Sequence, residues 1–385
     1  MMSKHGYIRK RFDEVFDLQM GKTPDRKNLS FFGGNNVWLS IKDMGAKYLS
    51  SSNECITDEA IEASGIKKVK KGTVVMSFKL TVGKCGITNC DLFTNEAIMA
   101  FNVKSNYNIK PEFLYFYLQG YKWQGANKAV MGLTLNKATI SKQFIEIPPI
   151  EAQEAIVAEL DEINEAIAEM QQQIADLDTL AQSTFYDMFG DPVTNPKGWD
   201  IKKLGEVATD KLSYGSGASA TSYDGEIRYI RITDIKDNGE LNDDVVSPNS
   251  IDIKYLLKEG DILFARSGAT VGKTYCHSIK NGKCLYAGYL IRMIPNRELV
   301  LPVFVFAYTR TNFYRSFVEM SQRAVAQPNI NAQQYSNLDI PVPPLTLQQD
   351  FAEKVEAIEA AKAELNAQID EMQTLLASRM DYYFD

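Results

Sequence analysis

The feature that most constrains this chain is an internal repeat. Ile147-Pro148-Pro149-Ile150-Glu151-Ala152-Gln153 recurs as Val342-Pro343-Pro344-Leu345-Thr346-Leu347-Gln348, an offset of 195 residues. Held at that offset without a gap, residues 148–189 match residues 343–384 at 13 of 42 positions, where chance pairing gives roughly two or three. With small insertions the echo continues upstream. Trp38-Leu39-Ser40-Ile41-Lys42-Asp43-Met44 pairs with Tyr229-Ile230-Arg231-Ile232-Thr233-Asp234-Ile235, and Lys71-Gly72-Thr73-Val74-Val75 with Glu259-Gly260-Asp261-Ile262-Leu263. Val82-Gly83-Lys84 and Val271-Gly272-Lys273 also correspond, as do Pro111-Glu112-Phe113 and Pro302-Val303-Phe304. The 385 residues therefore divide into two copies of one unit.

Each copy reads as a globular part followed by a helix. The globular parts, 1–150 and 191–345, mix short β-branched runs with Gly, Asn and Asp punctuation, which is a strand-and-turn pattern. Gly72–Ser77 and Gly260–Phe264 read as core strands. Pro111–Trp123 and Pro302–Phe317 read as buried helices opened by proline. The fold class that follows is α+β, with two pseudo-symmetric domains built on twisted, largely antiparallel β-sheets. Two long helices, 151–190 and 346–385, separate them. In the first, Ile156, Leu160, Ile163, Ile167, Met170, Ile174, Leu177 and Ala181 keep a 4-3 spacing, a heptad seam. Their repeat partners are Phe351, Val355, Ile358, Lys362, Leu365, Ile369, Met372 and Leu376, with Lys362 the single polar departure. Neither stripe can be buried alone, so the helices are expected to pair as an antiparallel coiled coil. About 34 residues would make a spacer rod of roughly 50 Å. A plain dimerisation coiled coil is the alternative.

Charge is divided along the same lines. The net formal charge of −7 argues, as an average, against nucleic acid. Yet residues 1–150 hold 21 Lys and Arg against 13 Asp and Glu, and 191–345 hold 18 against 17. Residues 151–190 hold ten acids and no base, and 346–385 nine acids against three bases. The acidic excess lies wholly in the helices, whose faces suit solvent or basic partner subunits rather than phosphate. No apolar stretch follows the charged run Lys4–Arg11, so a secretory signal is not expected. The most apolar run, Leu299–Thr309, is far shorter than the ~20 residues that span a bilayer. Five sparse cysteines suggest no disulfide framework. The expected location is cytoplasmic.

Catalytic motifs fail on spacing or inventory. Ser267–Thr274 resembles a phosphate-binding P-loop, but Gly268 to Gly272 leaves three residues where four are needed; a tight hairpin fits better. Two histidines, His5 and His277, leave little room for a triad or a His-rich metal site. Cys85, Cys90, Cys276 and Cys284 lack the paired spacing of zinc ligands and read as small buried thiols. No Asn-Pro-Pro-aromatic methyltransferase motif and no dinucleotide-binding glycine fingerprint occur. No catalytic residue and no metal site are expected.

Recognition remains. Loops between the core strands carry cations beside small polar groups: Lys22, Thr23, Arg26 and Lys27 after Gly21; Lys79, Thr81 and Lys84; Arg266, Ser267, Thr270 and Lys273. Polar stretches at 127–136 and 322–331, the latter with Arg323, precede each Pro-Pro. Lys and Arg gain phosphate contacts by releasing counterions, and Arg, Asn and Gln also read base edges. A solvated surface charge is the alternative for each cation.

Taken in order, these motifs resemble the specificity (S) subunits of type I restriction-modification systems over nearly the whole chain. The features are Gly21-Lys22-Thr23-Pro24 leading to Trp38–Met44, its counterpart Tyr229–Asp234, the Gly260–Gly268 strand and turn, and each Pro-Pro followed by Gln153 or Gln348. The usual Glu-Gln after Pro-Pro is Ala152-Gln153 and Leu347-Gln348 here, and Ser77-Phe78-Lys79 stands where the second copy has Ala265-Arg266-Ser267. The resemblance implies a non-catalytic DNA-recognition subunit. Each target recognition domain reads half of a split double-stranded DNA site, and the helices set the unread gap. Two adenine-N6 methyltransferase (M) subunits dock on it, and endonuclease/translocase (R) subunits join the complex. S-adenosylmethionine, ATP and Mg2+ would be held by those partners, with no cofactor on this chain. The competing readings are a two-headed protein-binding scaffold and a P-loop-like NTPase.

Overall fold

The computed structural model describes residues 7–123, 127–129, 132–323 and 329–384. It contains two compact units: Met1–Met170 with Gln368–Asp385, and Gln171–Ala367. Each combines a mixed α/β head with parts of both long helices.

In the first unit the central sheet runs Phe16–Met20, Ile98–Val103, Val74–Ser77, Cys85–Thr88, Tyr48–Leu49. Its pairings are antiparallel except the last, which is parallel. In the second unit Ser213–Tyr214, Leu290–Met293, Ile262–Ala265 and Thr274–Cys276 follow the same order, all antiparallel. The predicted core strands are thus present. Both are covered on two faces, and their side chains alternate as a period of two requires. Val74 and Met76 join the cluster that includes Phe12, Phe101 and Phe113. Val75 faces Leu39, Met44 and Leu49 on the other side. In the second unit Ile262 and Phe264 pack with Phe304 and Tyr335, while Leu263 and Ala265 pack with Ile230 and Tyr286.

Two antiparallel ribbons close the heads and deliver the chain to its long helices. Ile8–Arg11 pairs with Phe144–Ile147, and Asp200–Lys203 pairs with Asp339–Val342. The helices then run Ile150–Phe189 and Leu345–Phe384, 40 residues each, which is about 60 Å and longer than the seam alone suggests. Gln153 and Gln348, both fully buried, fix the starts. The Gln153 carboxamide accepts from the Lys110 N–H at 2.9 Å and donates to the Asn108 and Pro148 carbonyls at 3.0 Å. Gln348 does the same with the Leu301 N–H and the Leu299 and Pro343 carbonyls. A buried amide with both its N–H donors and its carbonyl oxygen engaged ties each helix to the loop that opens a head helix.

The seam residues are buried or half-buried throughout, from Ile156 to Leu177 and from Phe351 to Leu376. In the second unit Asp178 meets Lys362 and Phe185 meets Phe351, so the two helices run antiparallel there. Aromatic rings seat the helix ends on the heads: Phe189 on Phe304 at 4.9 Å, and the repeat-related Phe384 on Phe113 at 5.9 Å. Truncating the buried Phe189 costs about 3 kcal/mol or more, and truncating the half-buried Phe384 costs less.

One expected element differs. The first head helix is Pro111–Gly120, but the run from Pro302 breaks into Pro302–Tyr308 and Asn312–Arg323. The hydroxyls of Thr309 and Thr311 donate to the Phe306 and Tyr308 carbonyls at 2.7 and 2.8 Å. Such local bonds compete with helical ones and turn the chain.

Candidate nucleic-acid interface

Three segments meet at one end of each central sheet. In the first unit the N–H of Gly21 donates to the Ile98 carbonyl, Phe78 N–H to the Ala97 carbonyl, and Leu135 N–H to the Phe78 carbonyl. The loops after Met20 and Ser77, and the stretch before Leu135, therefore leave the sheet together at the start of Ile98–Val103. The second unit repeats each bond: Gly215 to Leu290, Arg266 to Tyr289 and Ile330 to Arg266. Glycine is required where the first segment leaves. A Cβ on Gly21 would stand 2.1 Å from the Thr94 carbonyl oxygen, and one on Gly215 2.3 Å from that of Ala287.

The candidate side chains are not equally available. Arg26 forms a bidentate pair with Glu54 at 2.7 and 2.9 Å, and its guanidinium lies over the rings of Phe32 and Trp38 at 4.6 and 4.9 Å. The bond to Glu54 raises its pKa despite partial burial. Lys22 donates to the Ser64 carbonyl at 3.0 Å, and Thr23 to the Glu96 carboxylate. Lys27 is exposed. In the hairpin Lys84 reaches the Ile41 carbonyl at 3.3 Å, Lys79 lies 5.5 Å from the Phe78 ring, and Thr81 is exposed.

In the second unit the guanidinium of Arg266 stacks on Tyr214 at 4.8 Å, and its Nε donates to Asn329 Oδ1 at 3.3 Å. Ser267 forms a backbone bridge with Asn329, and Thr270 donates to the Ser267 carbonyl at 3.3 Å. Lys273 is paired with Asp237 at 2.9 Å, beside a cavity of about 420 Å3 that Arg310, Tyr314 and Arg315 also line. The side chain of Arg323 lies outside the described residues, as do those of 124–134 and 324–328. Sequence reasoning missed the aromatics of this end, Tyr214 and Tyr289, which are 42% and 62% exposed. Their signal was adjacency to a glycine, Gly215 and Gly288.

The aspartates of the repeated Trp38–Met44 and Tyr229–Ile235 segments are caps. Asp43 accepts from the Ser40 N–H at 2.7 Å and from the Asn53 N–H at 2.8 Å; Asp234 accepts from the Arg231 N–H at 2.8 Å. Burial opposes the Asp43 charge, but the Ser40 and Asn53 donors outweigh it and hold the carboxyl below its usual range. The Ser267–Thr274 segment is a hairpin: Ile262–Ala265 and Thr274–Cys276 are antiparallel partners joined through a single 3-10 turn, with no helix following. A P-loop needs a helix N-terminus there. Among the described residues no three His, Cys, Asp or Glu side chains converge as a metal cluster. Burial pushes the Cys276 thiol up to about 12 and Cys284 to about 11, far from a reactive thiolate.

The repeated unit has a counterpart among known sequences. The profile of the type I restriction modification DNA specificity domain matches twice, over residues 6–179 and 196–372. The chain belongs to that family. This specificity subunit is 22% identical over 378 residues to the type I restriction enzyme MjaIX specificity subunit of Methanocaldococcus jannaschii, covering 91% of this chain and 86% of that protein. Its fold is similar to that of the type I restriction-modification S subunit from M. genitalium, with a TM-score of 0.52 and 13% identity over 99% of this chain and 96% of that one. A second solved chain, from work on complex assembly and conformational transition of the type I R-M system, gives a TM-score of 0.60 at 18% identity over 100% and 98%. Two recognition domains carried with paired long helices is the arrangement of this specificity subunit, and no described helix is long and apolar enough to cross a membrane.

Proposed function

We propose that each unit reads one half of a bipartite DNA site through the three segments that meet at its sheet end. The supporting observation is that the same three backbone bonds recur in both units while the side chains they present differ. A shared scaffold with divergent Phe78–Leu80 and Arg266–Gly268 tips is what two different half-sites require. The cations of these loops position the duplex through phosphate, and the aromatic and amide groups beside them meet base edges. The paired helices set the unread gap. Their acidic faces dock two adenine methyltransferase subunits, and endonuclease/translocase subunits complete the assembly. S-adenosylmethionine, ATP and Mg2+ reside on those partners; this chain contributes recognition and no bond-breaking step. Such a complex works in the cytoplasm, where the chromosome lies.

The test is methylome sequencing of cells expressing this chain with its methyltransferase partner. A bipartite adenine-methylated site is expected. Exchanging residues 1–150 for another family member's head should change one half-site only, and inserting a heptad into either helix should lengthen the gap and leave both half-sites intact. Altered bases within a half-site after the insertion overturn the spacer role. DNA binding by the complex that is absent, or insensitive to salt, overturns the DNA reading in favour of a protein-binding scaffold.

A further inference from the structure

The hairpin tips of the two units share a backbone but not a residue type. Phe78 and Arg266 occupy equivalent positions, since each accepts from the third segment and donates to the start of the central strand. Two residues further on stand Leu80 and Gly268, with φ of 65° and 70°. Glycine adopts this left-handed backbone freely; a leucine does so at a cost of order 1–2 kcal/mol. Leu80 is also the centre of a one-residue turn, because the Thr81 N–H donates to the Lys79 carbonyl at 2.8 Å. Positive φ with that bond is the strained form of a γ-turn.

The strain is held by the neighbouring chain. The buried Ser77 hydroxyl donates to the Thr81 carbonyl and accepts from the Lys84 N–H at 3.2 Å. The Gly83 N–H donates to the Ser77 carbonyl at 3.0 Å. On its other edge Lys79–Leu80 pairs with backbone of 132–134. All this fixes in one geometry a side chain that is itself 53% exposed. Burial therefore does not repay the strain. Strain that the surroundings enforce and packing does not repay marks a functional contact.

We propose that Leu80 is a specificity residue of the first unit, its side chain packing on a thymine C5-methyl in the major groove of the half-site that unit reads. This rests on the DNA reading above. A two-stranded ribbon fits the major groove, and the thymine methyl is the apolar feature of its base edges. Lys79 and Thr81 on either side and Lys84 at the base of the hairpin hold the tip against phosphate. Gly268 leaves the second unit without this contact, so its tip reads through Arg266 instead.

The complex of this chain with its methyltransferase subunits tests the assignment, on duplexes carrying the methylated site. Each thymine of the first half-site is replaced singly by deoxyuridine, which lacks only the methyl. One replacement should weaken native binding about fourfold, the worth of one buried methyl group. Leu80→Gly should bind the natural duplex about fourfold more weakly and be indifferent to that replacement. Its melting temperature should stay level or rise, because the strain is gone. Leu80→Asn, which tolerates the left-handed backbone, should share both the weaker binding and the retained stability. Native binding indifferent to every replacement, a first half-site lacking thymine, or unchanged affinity in either variant overturns the assignment. If those results come from a complex that still binds its site, only the role of Leu80 falls; a complex that binds no DNA removes the underlying reading with it.

Discussion

Lys362 Nζ lies 2.8 Å from Asp178 Oδ1, an ion pair between the two long helices at the one polar position of the second seam. Lys362 is 7% exposed and also reaches Glu359 at 3.1 Å. Burial works against its charge, but the bond to Asp178 and the field of Glu359 outweigh that and raise its pKa. Its repeat partner Ile167 is an ordinary buried seam residue. The pair thus marks one register of the antiparallel helices in the second unit, a role best known for isolated polar groups in coiled coils.

Removing the carboxylate of this pair should hurt, whereas replacing the ammonium by an apolar side chain should not. Asp178→Ala leaves a buried ammonium with Glu359 alone and should cost about 1–2 kcal/mol, discounted because Asp178 is half exposed. Lys362→Leu completes the apolar seam and should be stabilising by about 1 kcal/mol. Urea unfolding of the full chain measures both. The folded-state pKa of Lys362 is raised, so its contribution is complete below the ordinary lysine value and is lost as pH rises through the folded value. Alkaline unfolding should therefore begin earlier in the native chain, relative to its neutral stability, than in Lys362→Leu.

Glu159 supplies the acid-side counterpart in the first unit. The Arg379 guanidinium donates to both its carboxylate oxygens, and the Tyr383 hydroxyl joins them. These bonds, that to Arg379 foremost, hold the Glu159 carboxyl below the usual range. A depressed carboxylate contributes fully above its unfolded pKa, near 4.3, and loses that contribution as pH falls through the folded value. Native chain and Glu159→Gln should accordingly differ in melting temperature at pH 7 and converge as pH falls below the ordinary glutamate range and through the folded value. A difference independent of pH would show that packing, not charge, is at stake.

Gln153 and Gln348 should be the most sensitive polar positions outside the interface. Gln153→Leu strands a buried N–H and two carbonyls, each worth about 1–3 kcal/mol unpaired, for a loss of about 3 kcal/mol after relaxation. Gln348→Leu should match it, since the bonds are equivalent. Denaturation midpoints measure the loss, and a cost under about 1 kcal/mol would mean that water replaces the carboxamide.

Much of this was legible in the sequence because it is periodic or repeated. The 4-3 spacing from Ile156 to Leu177 marks a helix seam, and the recurrence of Pro-Pro places both helix starts. The strands around Val74 and Ile262 follow from β-branched runs after Gly72 and Gly260. Non-local pairing was not legible. Arg26 and Lys273 look like free cations until Glu54 and Asp237, 28 and 36 residues away, come beside them. The break at Thr309–Thr311 depends on hydroxyls that choose backbone carbonyls over solvent. Leu80 gave no signal until its φ could be compared with that of Gly268.

Arg266 offers the sharpest test of how the second unit reads. Its guanidinium is oriented by two contacts, the face on Tyr214 and Nε on Asn329, and neither contact uses the two terminal nitrogens as donors. Lysine keeps the charge but not the planar fork. If Arg266 reads a guanine, Arg266→Lys in the assembled complex should retain the salt dependence of binding and lose about 1–3 kcal/mol of discrimination at a single base pair of the second half-site. Arg266→Ala should lose the same discrimination. Tyr214→Leu, which removes the ring beneath the guanidinium, should give a smaller loss at that same base pair. Competition binding against a panel of single-base variants resolves this: weakening that is uniform across the panel would make Arg266 a phosphate contact instead.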